Sequence, residues 1–442
     1  MVISTKVKYY AERSLTYIIH QLYHLVISVR KIHRAKKMPY FSEVYNGLPF
    51  IPGYEFHIFI PFHFIHFYMR KSFACKRVIF LLLVFFQYNS FSNTPIPFSM
   101  NSIHPSDTLP VKGFLFNNQP YPECHASTII HLKNGEFIAA WFGGTKEKND
   151  DVGIWMTKGK PGKWSKTFEV AKINNTPHWN PVLFQAPGGK IYLFFKVGKE
   201  IPQWETWVKT SDDEGRTWSD AKELVKGDHG GRGPVRNKIL VLSDGTWLAG
   251  ASNEQGMWNA FFDRSKDKGK TWIATPYLSI DRNKIKGKGI IQPTLWESSP
   301  GQVHALLRSS SGIICRSDSK DYGRTWSPVY ETSLPNPNSG IDVAKLSDGT
   351  LVLAYNPTTH DWGSRGKLSL AISFDNGKTW PKKVDLENGK KDDEYSYPAI
   401  ISFNDSVAVT YTYNRKKIAY WMATKDWIMQ NAVPMESEPS EP

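Results

Sequence analysis

Cations, carboxylates, a histidine and a tyrosine stand at the edges of short apolar runs in this 442-residue sequence, and together they outline a chemistry. Arg308 in Ala305-Leu-Leu-Arg-Ser309, Arg365 before Leu368-Ser-Leu-Ala371, and Arg232, Arg236 and Lys238 in the basic segment His229–Lys238 are the kind of cations that grip a carboxylate. His125, in Glu123-Cys-His-Ala-Ser127, has an intrinsic pKa near neutrality and suits general acid or base work. Asp150-Asp151 lie in a charged loop, and Tyr395 opens a β-rich run in Asp393-Glu-Tyr-Ser-Tyr397. In an extended segment Glu394 points to the face opposite Tyr395, and Glu254 and Glu297 are further candidate carboxylates. His178-Trp179-Asn180 and Asn336-Pro-Asn338 offer ring stacking and amide bonds to a sugar. Each also has a plainer reading. Arg308 can pair with a neighbouring Asp, Asp150 and Asp151 can be solvated, Tyr395 and His125 can belong to a core, and Asn-Pro can simply turn the chain.

The element that must position these residues is a repeat. Ser211-Asp-Asp213-Glu-Gly215-Arg-Thr217-Trp218 recurs as Ser265-Lys-Asp267-Lys-Gly269-Lys-Thr271-Trp272, as Ser319-Lys-Asp321-Tyr-Gly323-Arg-Thr325-Trp326 and as Ser373-Phe-Asp375-Asn-Gly377-Lys-Thr379-Trp380, with successive Trp residues 54 apart. A further step of 54 back from Trp218 reaches Trp164 in Gly162-Lys-Trp-Ser165, a box that has lost its Asp. The box is hairpin-corner chemistry. Asp accepts from backbone N–H groups, Gly permits positive φ, Thr caps the turn and Trp enters the adjoining core. Its residues are structural.

Between boxes lie short β-rich runs joined by Asp-Gly or Gly-Gly turns, with no useful helical period: Ile191–Phe195, Ile239–Leu242 before Asp244-Gly245, and Val343–Leu346 before Asp348-Gly349. Strand, turn, strand, box, strand at this period predicts one four-stranded blade per repeat. Six blade openings are legible, at His125-Ala126, Asn180-Pro181, Gly233-Pro234, Gln292-Pro293, Gly340-Ile341 and Tyr397-Pro398. The expected fold is all-β, a six-bladed β-propeller over residues 115–430, with 93–114 a linker and 431–442 a disordered tail.

The first ninety residues read differently. Arg70, Lys71, Lys76 and Arg77 precede the apolar run Val78–Phe86, and Ser90-Phe-Ser92 follows, which is the order of a secretory signal peptide over 69–92 cut near Asn93. The apolar run is too short to span a bilayer. Residues 1–68 hold 6 of the 13 His and no turn grammar, so they read as a spurious or disordered extension upstream of a true start at Met69. Of the net charge of +14, 8 Lys/Arg against 3 Asp/Glu place +5 in residues 1–68, residues 69–92 carry +4, and +5 remains for 93–442. A weakly basic body with no Lys/Arg run excludes a nucleic-acid partner. Cys124 and Cys315, distant in sequence, make neither a disulfide framework nor a metal site, and one Asp per box lacks the clustered oxygens that calcium needs. No cofactor and no metal are expected. The product is expected to be secreted or periplasmic, monomeric and without a stable membrane anchor after signal cleavage.

Aspartate boxes of this form on a six-bladed propeller resemble the sialidase (neuraminidase) superfamily over residues 115–427. The resemblance implies an exo-glycosidase site at the propeller centre, with three Arg gripping the sugar carboxylate, a Tyr nucleophile paired with a Glu, and an acid/base Asp on a loop. On this sequence Arg308 is similar to the second Arg, Arg365 to the third, Tyr395 to the nucleophile, and Asp150 or Asp151 to the acid/base. The chain departs from the family in two places. Glu123-Cys124-His125 stands where the family has Arg-Ile-Pro, and the segment where the Glu is sought is the basic His229–Lys238, whose Arg232, Arg236 and Lys238 could restore the positive field. The leading expectation is therefore a secreted retaining exo-glycoside hydrolase on a glycan with a terminal acidic sugar, sialic acid or a related one. A polysaccharide lyase on uronate-containing glycans, with His125 or Tyr395 as base, and a non-catalytic carbohydrate-binding propeller are the alternatives.

Overall fold

The computed structural model describes residues 110–435; the expected upstream extension and signal peptide lie outside the described residues. Six antiparallel sheets follow one another along the chain as the blades of a β-propeller. From the inner strand outward, blade 1 is Glu123–His131, Phe137–Gly144, Gly153–Lys160 and Lys163–Trp164, with Phe168–Ala171 beside the third strand. Blade 2 is His178–Gln185, Ile191–Val197, Glu205–Ser211 and Lys222–Glu223, and blade 3 is Leu240–Val241, Trp247–Asn253, Asn259–Ser265 and Ile273–Ala274. Blade 4 is Ile290–Ser299, Gln302–Ser309, Ile313–Ser319 and Tyr330–Pro335, and blade 5 is Asp342–Lys345, Leu351–Tyr355, Lys367–Ser373 and Lys382–Asn388. Blade 6 is Tyr395–Phe403, Ser406–Tyr413 and Lys417–Thr424, closed by Val111–Phe114 from the other end of the domain.

That closing strand corrects the expected boundary. Val111 to Phe114, read as linker, pair with Met422 to Ala419, so both ends of the domain share one sheet. The tail is corrected in the same way, because Val433–Pro434 adds to the edge of blade 5 by pairing with Lys383 and Lys382. A helix over Lys425–Asn431, its first turn capped by the Thr424 hydroxyl, carries the chain there.

The four boxes repeat almost atom for atom. In each, the Ser hydroxyl donates to the Asp carboxylate at 2.8 Å and accepts from the Gly N–H at 2.8–2.9 Å, while the Thr N–H reaches the same carboxylate at 2.9 Å. These donors hold Asp213 and Asp267 well below the usual carboxylate range, the Thr hydroxyl contributing most. The turn needs two consecutive residues at positive φ, such as Glu214 at 60° and Gly215 at 79°, so Gly at the second position avoids one of two strained conformations. A Cβ on Gly215 would also come within 2.6 Å of Ile138 in blade 1. The box Trp residues lie in apolar clusters between blades: Trp326 stacks on Phe262 of blade 3 with ring centres 3.9 Å apart, and Trp380 is buried with Trp296 of blade 4. Cys124 and Cys315 are buried and free.

Candidate active site

The starts of the inner strands surround the propeller axis, and four of them carry a bulge at the same place. The pairing register shifts between His125 and Thr128, Trp179 and Val182, Ile291 and Thr294, and Ser396 and Ala399. Each bulge holds a non-glycine residue at positive φ: Ala126 at 55°, Asn180 at 37°, Gln292 at 53° and Tyr397 at 51°. Three of these precede Pro, a position that disfavours helical backbone, so local strain is held at the axis. A bulge turns the next side chain out of the period-two alternation, and here it turns Tyr397 inward.

Tyr397 is the hub. The guanidinium carbons of Arg236, Arg308 and Arg365 lie 5.1, 5.5 and 5.8 Å from its ring centre. Its Oη accepts a hydrogen bond from Arg308 Nη1, and the His125 ring packs on it with centres 4.2 Å apart. Asn338 couples two of the cations: its Oδ1 accepts from Arg308 Nε at 2.7 Å and its carbonyl from Arg365 Nη2 at 3.0 Å. Gln292 Oε1 accepts from Arg308 Nη1 at 3.2 Å. Arg236 is buried and donates Nη2 to the Pro398 carbonyl at 2.6 Å, and burial pulls its pKa down to about 10. It fits only because Gly340 has no side chain, since a Cβ there would lie 2.8 Å from Arg236 Nε. Arg365 is likewise lowered by burial.

A carboxylate and a fourth arginine complete the cluster. Glu394 accepts from Arg365 Nη1 at 3.1 Å, Ser396 Oγ at 2.7 Å and Arg415 Nε at 2.8 Å. Burial opposes its ionisation, yet the Arg415 and Arg365 guanidinium groups hold it down at about 2. Arg415 also binds Glu147 in the loop between the second and third strands of blade 1. His125 is held neutral: burial first, then Arg415, keeps its pKa well below the ordinary value, and its Nδ1 lies 2.8 Å from Thr412 Oγ1.

Arg308, Arg365, Arg236, His125 and Asn338 thus converge. Asn180 joins them at its bulge, buried and with no side-chain hydrogen bond among the described residues. Other candidates are placed elsewhere. Tyr395 faces outward from the axis into the apolar core between blades 5 and 6, against Tyr413 with ring centres 4.9 Å apart, because the alternation that places Glu394 toward the cluster must bury its neighbour. Burial pushes its phenol pKa up. Tyr397, two residues on, takes the axial position that sequence reasoning gave to Tyr395. The signal was available: Tyr397-Pro398 occupies the slot of Asn180-Pro181 and Gln292-Pro293.

Glu297 lies at the far end of its strand, on the box face, where it binds Ser243 N at 2.7 Å and Gly301 N at 2.8 Å. Arg232 is committed to Asp263 at 2.7–2.9 Å and to the Trp272 carbonyl. Lys238 likewise bridges to Asp342 of blade 5 at 2.8 Å. His178 is fully used, accepting the Ile173 N–H at Nε2 and lying 2.9 Å from the Thr176 carbonyl at Nδ1, and burial lowers its pKa to about 4. Trp179 is buried against Trp204 and donates to the Gly198 carbonyl. Asp151 folds its own loop by accepting from Thr145 N at 2.8 Å and Oγ1 at 2.9 Å, and Asp150 pairs with Lys199 at 3.1 Å. Among the described residues no group of three or more His, Cys, Asp and Glu could hold a metal ion, and no helix is long and apolar enough to cross a membrane.

The blades thus form a propeller whose four boxes lie on one face and whose arginines line the axis on the other. The chain belongs to the family of the BNR repeat-like domain, whose profile matches residues 135–409, more than half of its length. It is 25% identical over 215 residues to an anhydrosialidase of Macrobdella decora, covering 44% of this chain and 27% of that protein. It is 24% identical over 264 residues to a sialidase of Paraclostridium sordellii, covering 50% and 63%. The chain therefore spans less than two thirds of either relative. Its fold is shared with a Hadza microbial sialidase at a TM-score of 0.59 and 18% identity, over 69% of this chain and 66% of the other.

Proposed function

We propose that the axial site is that of a retaining exo-glycoside hydrolase that releases a terminal acidic sugar from a glycan. The observation that carries this reading is the convergence of three guanidinium groups on one tyrosine ring, 5.1 to 5.8 Å from its centre. Arg308 and Arg365, tied together by Asn338, are the pair to grip the sugar carboxylate. A carboxylate nucleophile would be repelled by an anomeric carbon that bears a carboxylate, whereas the neutral phenol of Tyr397 is not. Its oxygen accepts from Arg308, an arrangement suited to an oxygen on which charge builds. Asn180, with its amide unbonded, is placed to read a sugar substituent. The substrate class favoured is sialosides, as in the names of the relatives. The enzyme is taken to act outside the cytoplasm as a monomer starting near Asn93, which N-terminal sequencing of the exported protein tests.

A second reading has one observation of its own. His125, neutral and packed at 4.2 Å on Tyr397, is a base and acid pair of the kind that removes a proton next to a uronate carboxylate and expels the 4-linked sugar. One assay separates the two. Protein beginning at Asn93 is incubated with α-sialosides and with uronate oligosaccharides, and free sugar and the ultraviolet absorbance of an unsaturated uronate are both followed. Sialic acid released by the wild type and not by Tyr397→Phe supports the hydrolase. An unsaturated product lost in His125→Ala replaces it with the lyase, and binding without turnover of any glycan contradicts both.

A further inference from the structure

A hydrolase of this kind must protonate the oxygen that leaves, and the two aspartates nearest in sequence to that task are already occupied, Asp150 by Lys199 and Asp151 by Thr145. Glu254 is not. It follows the strand Trp247–Asn253 at the end of blade 3 that carries the site, and among the described residues its carboxylate has no hydrogen-bond or ion-pair partner. It is partly buried, in the short loop that leads to Trp258.

That loop is fixed at both ends. Asn253 Oδ1 accepts from Gln255 N at 2.9 Å, and Trp258 N donates to the Lys288 carbonyl at 2.8 Å. The Arg308 guanidinium lies 5.5 Å from the ring centre of Tyr397 and 5.8 Å from that of Trp258, so the loop from Glu254 to Trp258 ends beside the arginine that bonds to Tyr397. The charged groups that act on Glu254 are Arg308, Lys196 and Lys288. Lys196 is itself unusual. It is fully buried, bonded through Nζ to Thr206 Oγ1 at 2.6 Å and to the Arg232 carbonyl at 2.8 Å, and no carboxylate is within bonding distance of it.

We propose that Glu254 is the proton donor to the departing sugar oxygen. The assignment rests on the glycosidase reading of the same site. As Tyr397 Oη bonds to the anomeric carbon it gives its phenol proton to water, the carbon–oxygen bond to the leaving sugar breaks, its electron pair stays on that oxygen, and the Glu254 proton moves there. In the second half Glu254 takes a proton from water, the water oxygen bonds to the anomeric carbon, and the Tyr397 oxygen is released and recovers a proton from solvent. Burial raises the Glu254 pKa and outweighs the pull of the three cations. A substrate carboxylate on Arg308 would offset one of those cations and strengthen the effect, so the proton is loaded when substrate binds. Burial also lowers Lys196, to about 7.

The test compares two probes on the same protein, 3′-sialyllactose, whose leaving group needs a proton, and a 4-methylumbelliferyl α-sialoside, whose leaving group does not. Glu254→Gln is expected to lower kcat on sialyllactose about a hundredfold or more and on the aryl sialoside less than about tenfold, and to remove the basic limb of the pH profile. Asp150→Asn serves as the comparator and is expected to keep both rates and that limb. Equal losses on both probes, or an unchanged basic limb, would overturn the assignment while leaving the hydrolase reading standing. A wild type that cleaves neither probe would end both.

Discussion

The two faces of this propeller obey opposite rules. On the box face, four turns repeat the same hydrogen bonds to within about 0.1 Å, and each fastens a blade to its neighbour. On the axial face, four equivalent bulges hold Ala126, Asn180, Gln292 and Tyr397, no two alike. The backbone is equally regular in both places, so only the side chains differ. Repetition marks what every blade needs in order to pack, and its breakdown marks what one ligand needs. The charge distribution agrees. Box aspartates are satisfied within their own turns, whereas the axial arginines point from separate blades at one tyrosine.

Changes that separate the faces sharpen the contrast. The largest expected effect is on the axis: Tyr397→Phe lowers kcat by at least about a thousandfold with an unchanged melting temperature. Tyr395→Phe leaves kcat within a few fold and lowers stability instead. On the box face, Trp380→Ala costs roughly 3–5 kcal/mol of unfolding free energy in denaturant titrations, from the cavity it leaves, without altering kcat. A change in kcat comparable to that of Tyr397→Phe would break the comparison.

Next in size is a pH effect. The Glu394 carboxyl is depressed to about 2, so the stability it contributes, roughly 3 kcal/mol, is present above about pH 4.5 and lost as the pH falls toward 2. Glu394→Gln should flatten that part of the stability profile, and an unchanged acid limb would show that Arg365 and Arg415 do not hold it. The smallest effect is at Asn338. Replacing it by Ala leaves Arg308 Nε unpaired, and is expected to lower kcat/KM about tenfold to a hundredfold and the unfolding free energy by about 1–3 kcal/mol.

The regular part of the molecule was legible in the sequence because it repeats. Box spacing, Asp-Gly turns and blade openings gave six blades in the right order. The closing strand was not, because Val111-Lys-Gly-Phe114 carries no box and its partner lies some three hundred residues away, at Ala419 to Met422. For the site, cation type pointed to Arg308 and Arg365, whereas Tyr397-Pro398 marked only the opening of a blade. Resemblance to the nucleophile segment singled out Tyr395, and a bulge that resets the alternation between Ser396 and Ala399 brings Tyr397 to the axis in its place. Arg415 and Glu147 could not be paired from sequence, since they meet only when blade 6 closes on blade 1. Arg232 looked equivalent to Arg236 until Asp263, on the next strand pair, claimed it.

The central claim is that Tyr397, turned to the axis by its bulge, forms the bond to the sugar. A fluorine beside the anomeric carbon slows both steps of such a reaction and a fluoride leaving group speeds the first, so a 3-fluorosialosyl fluoride should leave a glycosylated enzyme long-lived enough for peptide mapping by mass spectrometry. The account predicts one sugar per chain, carried on Tyr397. A label on Tyr395 or on a carboxylate, or release of sialic acid from sialosides with no label formed, would contradict it.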